Sequence, residues 1–170
     1  FNDNGLLTHA KNYILKDNDY IENGVETFSY VNGRRLLSSK TDILGNKTTY
    51  EYNTSYYLPT KITEYADTEN AVVTTNVLTA DNKNIASTTM TSDHVISVNT
   101  YTYDITYPGN MVQQVLSVSQ NNGTPTVDTI EYGYDSSNSY VSTVTNKNVS
   151  TFNSTNFTSS TQDVVTAKTY

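Results

Sequence analysis

The chain has 170 residues, a formal net charge of −7 and no cysteine. Its length fits one domain, or one slice of a larger array. The acidic balance argues against nucleic acid as a partner, because phosphate is repelled and the longest basic run is Arg34-Arg35. The missing cysteines exclude disulfides, thiolate metal sites and cysteine nucleophiles. No apolar run approaches the roughly 20 residues that a membrane-spanning helix needs.

The aromatic composition favours strands. There are 15 tyrosines and four phenylalanines but no tryptophan, so tyrosine has to supply much of the large buried area. A tyrosine ring packs well on a pleated sheet while its hydroxyl reaches water or a neighbouring backbone group. Residues that favour helices are sparse. The composition therefore predicts an all-β protein.

The first third of the chain alternates turn signals with short apolar runs. Residues 2–5 and the pairs Asn23-Gly24 and Asn32-Gly33 predict breaks or turns, because Asn and Gly tolerate a positive φ. Residues 6–15 are predicted to be a strand, although their spacing also fits a short helix. The segments that follow as predicted strands are 26–31, 34–41 and 47–52.

The rest of the chain continues the pattern. Pro59 belongs at a strand end or edge, since proline cannot donate to a ladder. Further strands are predicted at 60–66, 71–78, 84–90, 95–107, 111–119 and 127–134. The run 95–107 and the run 111–119 form a long hairpin around Pro108-Gly109, and one face of the first run carries Tyr101, Tyr103, Ile105 and Tyr107. Residues 140–170 are two further strands or a frayed end.

A pair of aromatic residues at alternate positions recurs along the chain. The four pairs are Phe28/Tyr30, Tyr50/Tyr52, Tyr101/Tyr103 and Tyr132/Tyr134. They are separated by 22, 51 and 31 residues, and the first interval matches one strand-turn-strand unit. Two explanations of the longer intervals stay open: some hairpins are lengthened by insertions, or the repeat decays.

These residues resemble the tyrosine-aspartate (YD) repeat of RHS proteins, whose pattern is G-R-L, D-x-x-G-N, Y-x-Y-D. One full match is built from Gly33, Arg34, Leu36, Asp42, Gly45, Asn46, Tyr50 and Tyr52. The closing piece alone recurs as Tyr101, Tyr103 and Asp104, and again as Tyr132, Tyr134 and Asp135. An additional Arg35 and an Asn53 in place of the final Asp depart from the pattern.

The resemblance implies a long β-ribbon that spirals into a hollow shell, in large secreted or surface-displayed bacterial proteins. It implies an extracellular or cell-surface location and, as partners, flanking repeats or domains of the same polypeptide. The self-cleaving Asp-Pro segment of the toxin-processing shells has no counterpart, because Pro59, Pro108 and Pro125 follow Leu, Tyr and Thr.

Three groups of residues carry side chains that occur in catalytic or metal sites. Ser92-Asp93-His94 contains the residue types of a hydrolytic triad, but neighbours in sequence cannot point at one another, so a polar turn is predicted. His9 and His94 lack the spacing of a zinc site. Residues 17–22 offer oxygen ligands without the spacing of an EF-hand, so a solvated turn is predicted there.

The sequence thus predicts an all-β protein of antiparallel hairpin repeats in one curved sheet or ribbon, without catalytic residues, bound metal or cofactor. Its predicted role is that of a non-catalytic segment, residues 1–170, of an RHS-like extracellular scaffold. The alternative is a carbohydrate-binding or adhesive β-sandwich with glycans as partners. A hydrolase with an unconventional site comes third.

Overall fold

The computed structural model describes residues 1–153 and 158–167. These residues form strands, turns and loops and no helix, which confirms the all-β prediction. The twelve strands are β1 His9–Lys16, β2 Asp19–Tyr30, β3 Leu37–Thr41, β4 Lys47–Tyr52, β5 Pro59–Glu64, β6 Val72–Leu78, β7 Ile85–Thr91, β8 Val95–Tyr103, β9 Met111–Gln120, β10 Thr126–Tyr134, β11 Val141–Asn153 and β12 Thr158–Ala167.

All twelve strands belong to one sheet, and their order in the sheet is their order in the chain. Neighbouring strands pair antiparallel, as β1 does with β2 and β8 with β9. This topology confirms the hairpin prediction. A β-sandwich with Greek-key crossings would require strands that are not neighbours in sequence to pair, and no such pair occurs among the described strands.

The contacts divide the chain into two compact units. The first unit contains residues 1–76 and 91–93, and the second contains residues 77–90 and 94–170. No helix in the described part of the chain could span a membrane. The predicted strands or frayed end at 140–170 coincide with β11 and β12, except that residues 154–157 and 168–170 lie outside the described residues.

Two turn or strand predictions in the first unit are wrong. Asn23-Gly24 does not break the chain: it lies within β2, where Asn12 pairs with Gly24 and Tyr13 with Glu22, so Asn23 is the extra residue of a bulge. Gly24 has φ +136 and contacts Ile43, which leaves little room for a Cβ. The strand predicted from Arg34 begins three residues later at Leu37.

One prediction in the second unit is also wrong. β8 ends at Tyr103, so Ile105 and Tyr107 do not share its face. Asp104 accepts hydrogen bonds from the backbone N–H groups of Thr106 (2.7 Å) and Tyr107 (2.8 Å). These bonds hold the segment in a turn, and the Ile105 side chain is 97% exposed. The predicted hairpin around Pro108-Gly109 is confirmed as the β8–β9 pair.

The described residues contain almost no buried core. Ala66, at 8% exposure, is the one buried hydrophobic side chain among them. The tyrosines expected to supply the buried area are half-buried or exposed. Stability must therefore come mainly from backbone ladders and from side-chain contacts between neighbouring strands, each worth about 0.2 to 1 kcal/mol.

Candidate functional site: a repeated tyrosine contact

The aromatic pairs occupy equivalent places in the strands. Each pair lies in an even-numbered strand, and its second member is the last residue of that strand: Tyr30 in β2, Tyr52 in β4, Tyr103 in β8 and Tyr134 in β10. All four rings are half-buried. Four of the six even-numbered strands therefore end on a tyrosine.

Each of these tyrosines donates its hydroxyl hydrogen to a backbone carbonyl at or just before the start of the preceding strand. The distances are 2.9 Å from Tyr30 to Leu7, 2.9 Å from Tyr52 to Leu37, 2.9 Å from Tyr103 to Ile85 and 3.0 Å from Tyr134 to Met111. Leu37, Ile85 and Met111 are the first residues of β3, β7 and β9. We call this interaction the tyrosine–carbonyl contact.

A β-bulge accompanies the contact. Four even-numbered strands end on a tyrosine, and beside each of these tyrosines the register with the following strand shifts by one residue. The second residue of the following, odd-numbered strand is therefore left without a partner in that ladder. The extra residues are Ser38, Thr60, Val112 and Ser142. A bulge disrupts the local ladder. Leu37 and Met111 directly precede two of these bulged residues, and the tyrosine–carbonyl contact supplies a hydrogen-bond donor to the carbonyl of each.

The third even-numbered strand, β6, makes the equivalent contact with an amide in place of a tyrosine. Asn76 Nδ2 donates to the carbonyl of Pro59 at 2.9 Å, and Pro59 is the first residue of β5. The 51-residue interval between the second and third aromatic pairs thus contains an additional hairpin, β5–β6, without aromatic residues at these positions. The 31-residue interval has a different cause: β9 has 10 residues where β3 has five.

Partial burial raises the pKa of three of the contact tyrosines. It is the largest cause for Tyr52, Tyr103 and Tyr134, and the neighbouring tyrosines Tyr50, Tyr101 and Tyr132 add to it. The neutral phenol is the form that can donate to a carbonyl. Tyr50, Tyr101 and Tyr132, the first members of their pairs, are also half-buried. The Tyr132 hydroxyl donates to Gln114 Oε1 at 3.4 Å.

The loops that follow β2, β4, β6, β8 and β10 share one closing pattern, and we call them the return loops: residues 31–36, 53–58, 79–84, 104–110 and 135–140. In each of them the N–H of the first residue donates to the carbonyl of the last, at 2.8 to 3.0 Å. In four of them the side chain of the first residue also accepts a hydrogen bond from a backbone N–H within the loop; those residues are Asn53, Thr79, Asp104 and Asp135. Asp, Asn and Thr close turns in this way.

Asp135 makes the densest set of these bonds. Its carboxylate accepts from the Ser137 hydroxyl and from the backbone N–H groups of Ser139 and Tyr140 at 2.9 and 3.0 Å. The Ser137 hydroxyl is the largest of the causes that lower the pKa of Asp135 to about 2. Charge and hydrogen bonds therefore hold the last described return loop closed.

The D-x-x-G-N segment forms the turn between β3 and β4. Asp42 accepts from the backbone N–H groups of Leu44 and Asn46, both at 2.9 Å, and from Asn46 Nδ2 at 2.9 Å. The Asn46 side chain is the main cause that lowers the pKa of Asp42. Gly45 adopts φ +87 and donates to the Asp42 carbonyl at 3.0 Å. The three residues thus build one local turn.

The G-R-L segment lies in the first return loop. Gly33 has φ +67, and the Leu36 carbonyl accepts the bond that closes the loop. The Arg34 guanidinium lies 4.7 Å from the ring centre of Tyr57, in the next return loop. Arg34 thus connects two neighbouring loops of the first unit.

Asparagines connect neighbouring return loops in the second unit. Asn84 Nδ2 donates to the Pro108 carbonyl at 2.9 Å, and Asn110 Nδ2 donates to the Asn138 carbonyl at 2.8 Å. Asn84 and Asn110 are the last residues of their loops. The acceptors stand two residues before the end of the next loop, so the two links are equivalent.

The histidines and carboxylates do not form a metal-binding cluster in the part of the chain that the structure describes. No set of three His, Asp or Glu side chains there is placed to hold a metal ion. Asp17 and Asn18, with φ 51 and 72, form the two-residue turn between β1 and β2. Glu22 bonds Lys11 at 2.7 Å, which uses one of the carboxylates of the oxygen-rich segment.

The predicted motif residues come together in three places rather than in one site. Asp42, Gly45 and Asn46 share one turn, Tyr50 and Tyr52 share β4, and Arg34 contacts Tyr57. Sequence reasoning missed Asn76, Asn84 and Asn110, although the last two stand at equivalent loop ends. The bulged positions could not be predicted, because they are occupied by Ser, Thr and Val, which also occur at regular strand positions.

No protein-family model matches the chain. No curated protein matches it at a significant level.

Proposed function

We propose that this chain is a non-catalytic structural repeat segment of an RHS-like extracellular scaffold or shell. The observation that carries the proposal is the tyrosine–carbonyl contact, which recurs in register in four hairpins and is replaced by an amide contact in a fifth. The residues that match the YD pattern build contacts within and between hairpins. Such contacts serve a repeat architecture, in which each unit is stabilised by its neighbours.

The ends of the sheet support the same role. Among the described strands, β1 pairs with β2 alone and β12 with β11 alone. An unpaired strand edge is a template for further strands. Flanking repeats of the same polypeptide are the partners that would extend this sheet, and an extracellular or surface location in a bacterial, secreted protein follows from the resemblance.

The test is the structure of the intact polypeptide that contains this chain, expressed from its full gene. We expect further strands beside β1 or β12, with aromatic pairs that make the same contact. A gene without any further YD unit, or edges that are both covered by non-repeat elements, would contradict the proposal. So would a turnover measured on esters or glycosides that is lost in Asp93→Ala or His94→Ala variants.

A second candidate function is glycan binding, the adhesive alternative. It is favoured by exposed tyrosine rings in two return loops, Tyr56 at 53% and Tyr140 at 58% exposure, because such rings can stack on sugars. A glycan array tests it. Binding that is lost in Tyr56→Ala or Tyr140→Ala and kept in Tyr20→Ala would support this function, and the absence of any bound glycan would count against it.

A further inference from the structure

The ladder between β10 and β11 ends before either strand does. Its last pair is Thr129 with Lys147. β10 extends three residues beyond this pair, to Thr126, while β11 extends to Asn153. Residues 126–128 pair with β9 on their other side, and residues 149–153 pair with β12. Two neighbouring strands therefore separate while each stays bound to its own hairpin.

A bulge in β11 accounts for the separation. Asn146 pairs with Val164 and Val149 with Gln162, so β11 has one residue more than β12 between these pairs. Asn148 has φ 54, and its N–H donates to Asp163 Oδ1 at 3.0 Å. Bulges bend a strand. Lys147, with contacts of 2.6 Å to Asp163 and 3.6 Å to Glu131, holds the strands together just before they part.

The space between the separated strands is a groove of about 700 Å³. It lies within the second unit. Leu116, Ile130 and Val164 contribute apolar surface, and Asp128 contributes a carboxylate. Asp128 is exposed, and no ion pair is assigned to it among the described residues. Its two sides are residues 126–130 of β10 and residues 146–149 of β11.

We propose that this groove accepts an extended peptide strand that carries apolar side chains and one lysine or arginine. Two open strand edges face each other across the groove, and each can supply main-chain hydrogen bonds to an added strand, the mode known as β-augmentation. The apolar lining suits alternate side chains of that strand. Asp128, in a protein of net charge −7, favours a basic residue.

The probe is a display library of random eight-residue peptides, selected against the full chain. Enriched peptides should alternate apolar residues and contain Lys or Arg. When bound, they should slow amide hydrogen exchange at residues 126–128 by at least tenfold. The absence of enrichment, or protection confined to other strands, would overturn the proposal.

Three variants locate the binding. Deletion of Asn148 removes the bulge and should close the groove, so that binding is lost. Asp128→Lys leaves the backbone unchanged and should weaken the enriched basic peptides tenfold or more, which keeps the test valid if the deletion variant fails to fold. Glu69→Lys, the same reversal of charge at an exposed loop position of the first unit, is the matched control and should bind normally. Equal binding by Asp128→Lys and the parent chain would overturn the assignment.

Discussion

The two compact units use the same contact within their hairpins and different contacts between their loops. Tyr30 and Tyr52 in the first unit bond backbone carbonyls at 2.9 Å, as do Tyr103 and Tyr134 in the second at 2.9 and 3.0 Å. The return loops of the first unit are connected by an arginine over an aromatic ring. Those of the second unit are connected by asparagine amides.

The contact within the hairpins is shared by both units, whereas the contacts between the loops vary. The tyrosine–carbonyl contact has a nearly constant geometry, with distances of 2.9 to 3.0 Å in both units. The links between loops have to hold only two surface turns together, so a cation over a ring and an amide on a carbonyl serve equally well. The repeat unit is therefore defined by the hairpin and not by the loops.

The largest effect is expected when the contact tyrosine is truncated. Tyr52→Ala in the first unit and Tyr134→Ala in the second should each lower the free energy of unfolding by about 2 to 4 kcal/mol, since a half-buried ring and its hydrogen bond are lost. Chemical denaturation measures this, with Tyr20→Ala at 78% exposure as the control. A loss in one unit alone would contradict the shared role.

Removal of the hydroxyl alone should cost less. Tyr52→Phe and Tyr103→Phe should each lower stability by about 1 kcal/mol, because the carbonyl loses its donor while the ring stays. Tyr20→Phe is the matched control and should change stability little. If Tyr52→Phe and Tyr103→Phe both kept full stability, the packed ring rather than the hydrogen bond would be the stabilising part of the repeat.

The same hydroxyls should make the free energy of unfolding decrease at alkaline pH. The folded-state pKa of Tyr52 and Tyr103 is raised, so their contribution to stability is complete below the ordinary tyrosine pKa of about 10. It is lost as the pH rises through the folded-state value. Unfolding curves from pH 8 to 11.5 should show this loss in the parent chain and a smaller one in a Tyr52→Phe, Tyr103→Phe double variant. Identical profiles would refute it.

The links between loops should have smaller effects. Arg34→Ala should cost about 0.5 to 1 kcal/mol, the range for an exposed cation on a ring, and Arg35→Ala next to it should cost less. Asn110→Leu, which introduces the residue found at the equivalent positions 36 and 58, should cost about 0.5 kcal/mol, the low end of the range for one exposed hydrogen bond. Hydrogen exchange of residues 53–58 and 135–140 checks these changes. If either variant lowered the free energy of unfolding by more than Tyr52→Phe does, the links between loops would matter more than the contact within the hairpin.

The smallest effect is expected in acid at one loop. The pKa of Asp135 is lowered to about 2, so its contribution is complete above the ordinary Asp value of about 3.9 and is lost as the pH falls from there through about 2. Amide signals of residues 137–140 should report the opening of the loop. Asp135→Asn should remove this dependence, and an unchanged acid profile in that variant would contradict the assignment.

Local signals in the sequence predicted most of the strands. Alternating aromatic residues and Asn, Asp or Gly turns predicted the two strands around residues 42–46 with three of their four ends correct and the fourth three residues too early. The failures have physical causes. At residues 104–107 alternation continued past the true end of β8, because Asp104 captures two N–H groups and overrides a period-two pattern. At Asn23-Gly24 the glycine serves a bulge instead of a turn.

The repeat itself could be predicted only in part. Aromatic pairs identified four hairpins in the sequence. The fifth hairpin could not be recognised, because an asparagine amide makes the equivalent hydrogen bond there. The bulges leave no residue signature, since they depend on the register of a neighbouring strand. The groove beside β10 was equally invisible, because it arises from one extra residue in β11 and not from a motif.

The position of the bulges has a consequence for how such a chain can change. Four of the bulges, at Ser38, Thr60, Val112 and Ser142, lie at the second residue of their strands, whether the strand has five residues, as β3 does, or 10, as β9 does. One end of every such hairpin is thus anchored, and length is added at the other. Foreign sequences inserted at the distal turns, Asp17-Asn18 or Asn121-Asn122, should be displayed without disturbing the anchored end, which makes this chain a graftable scaffold.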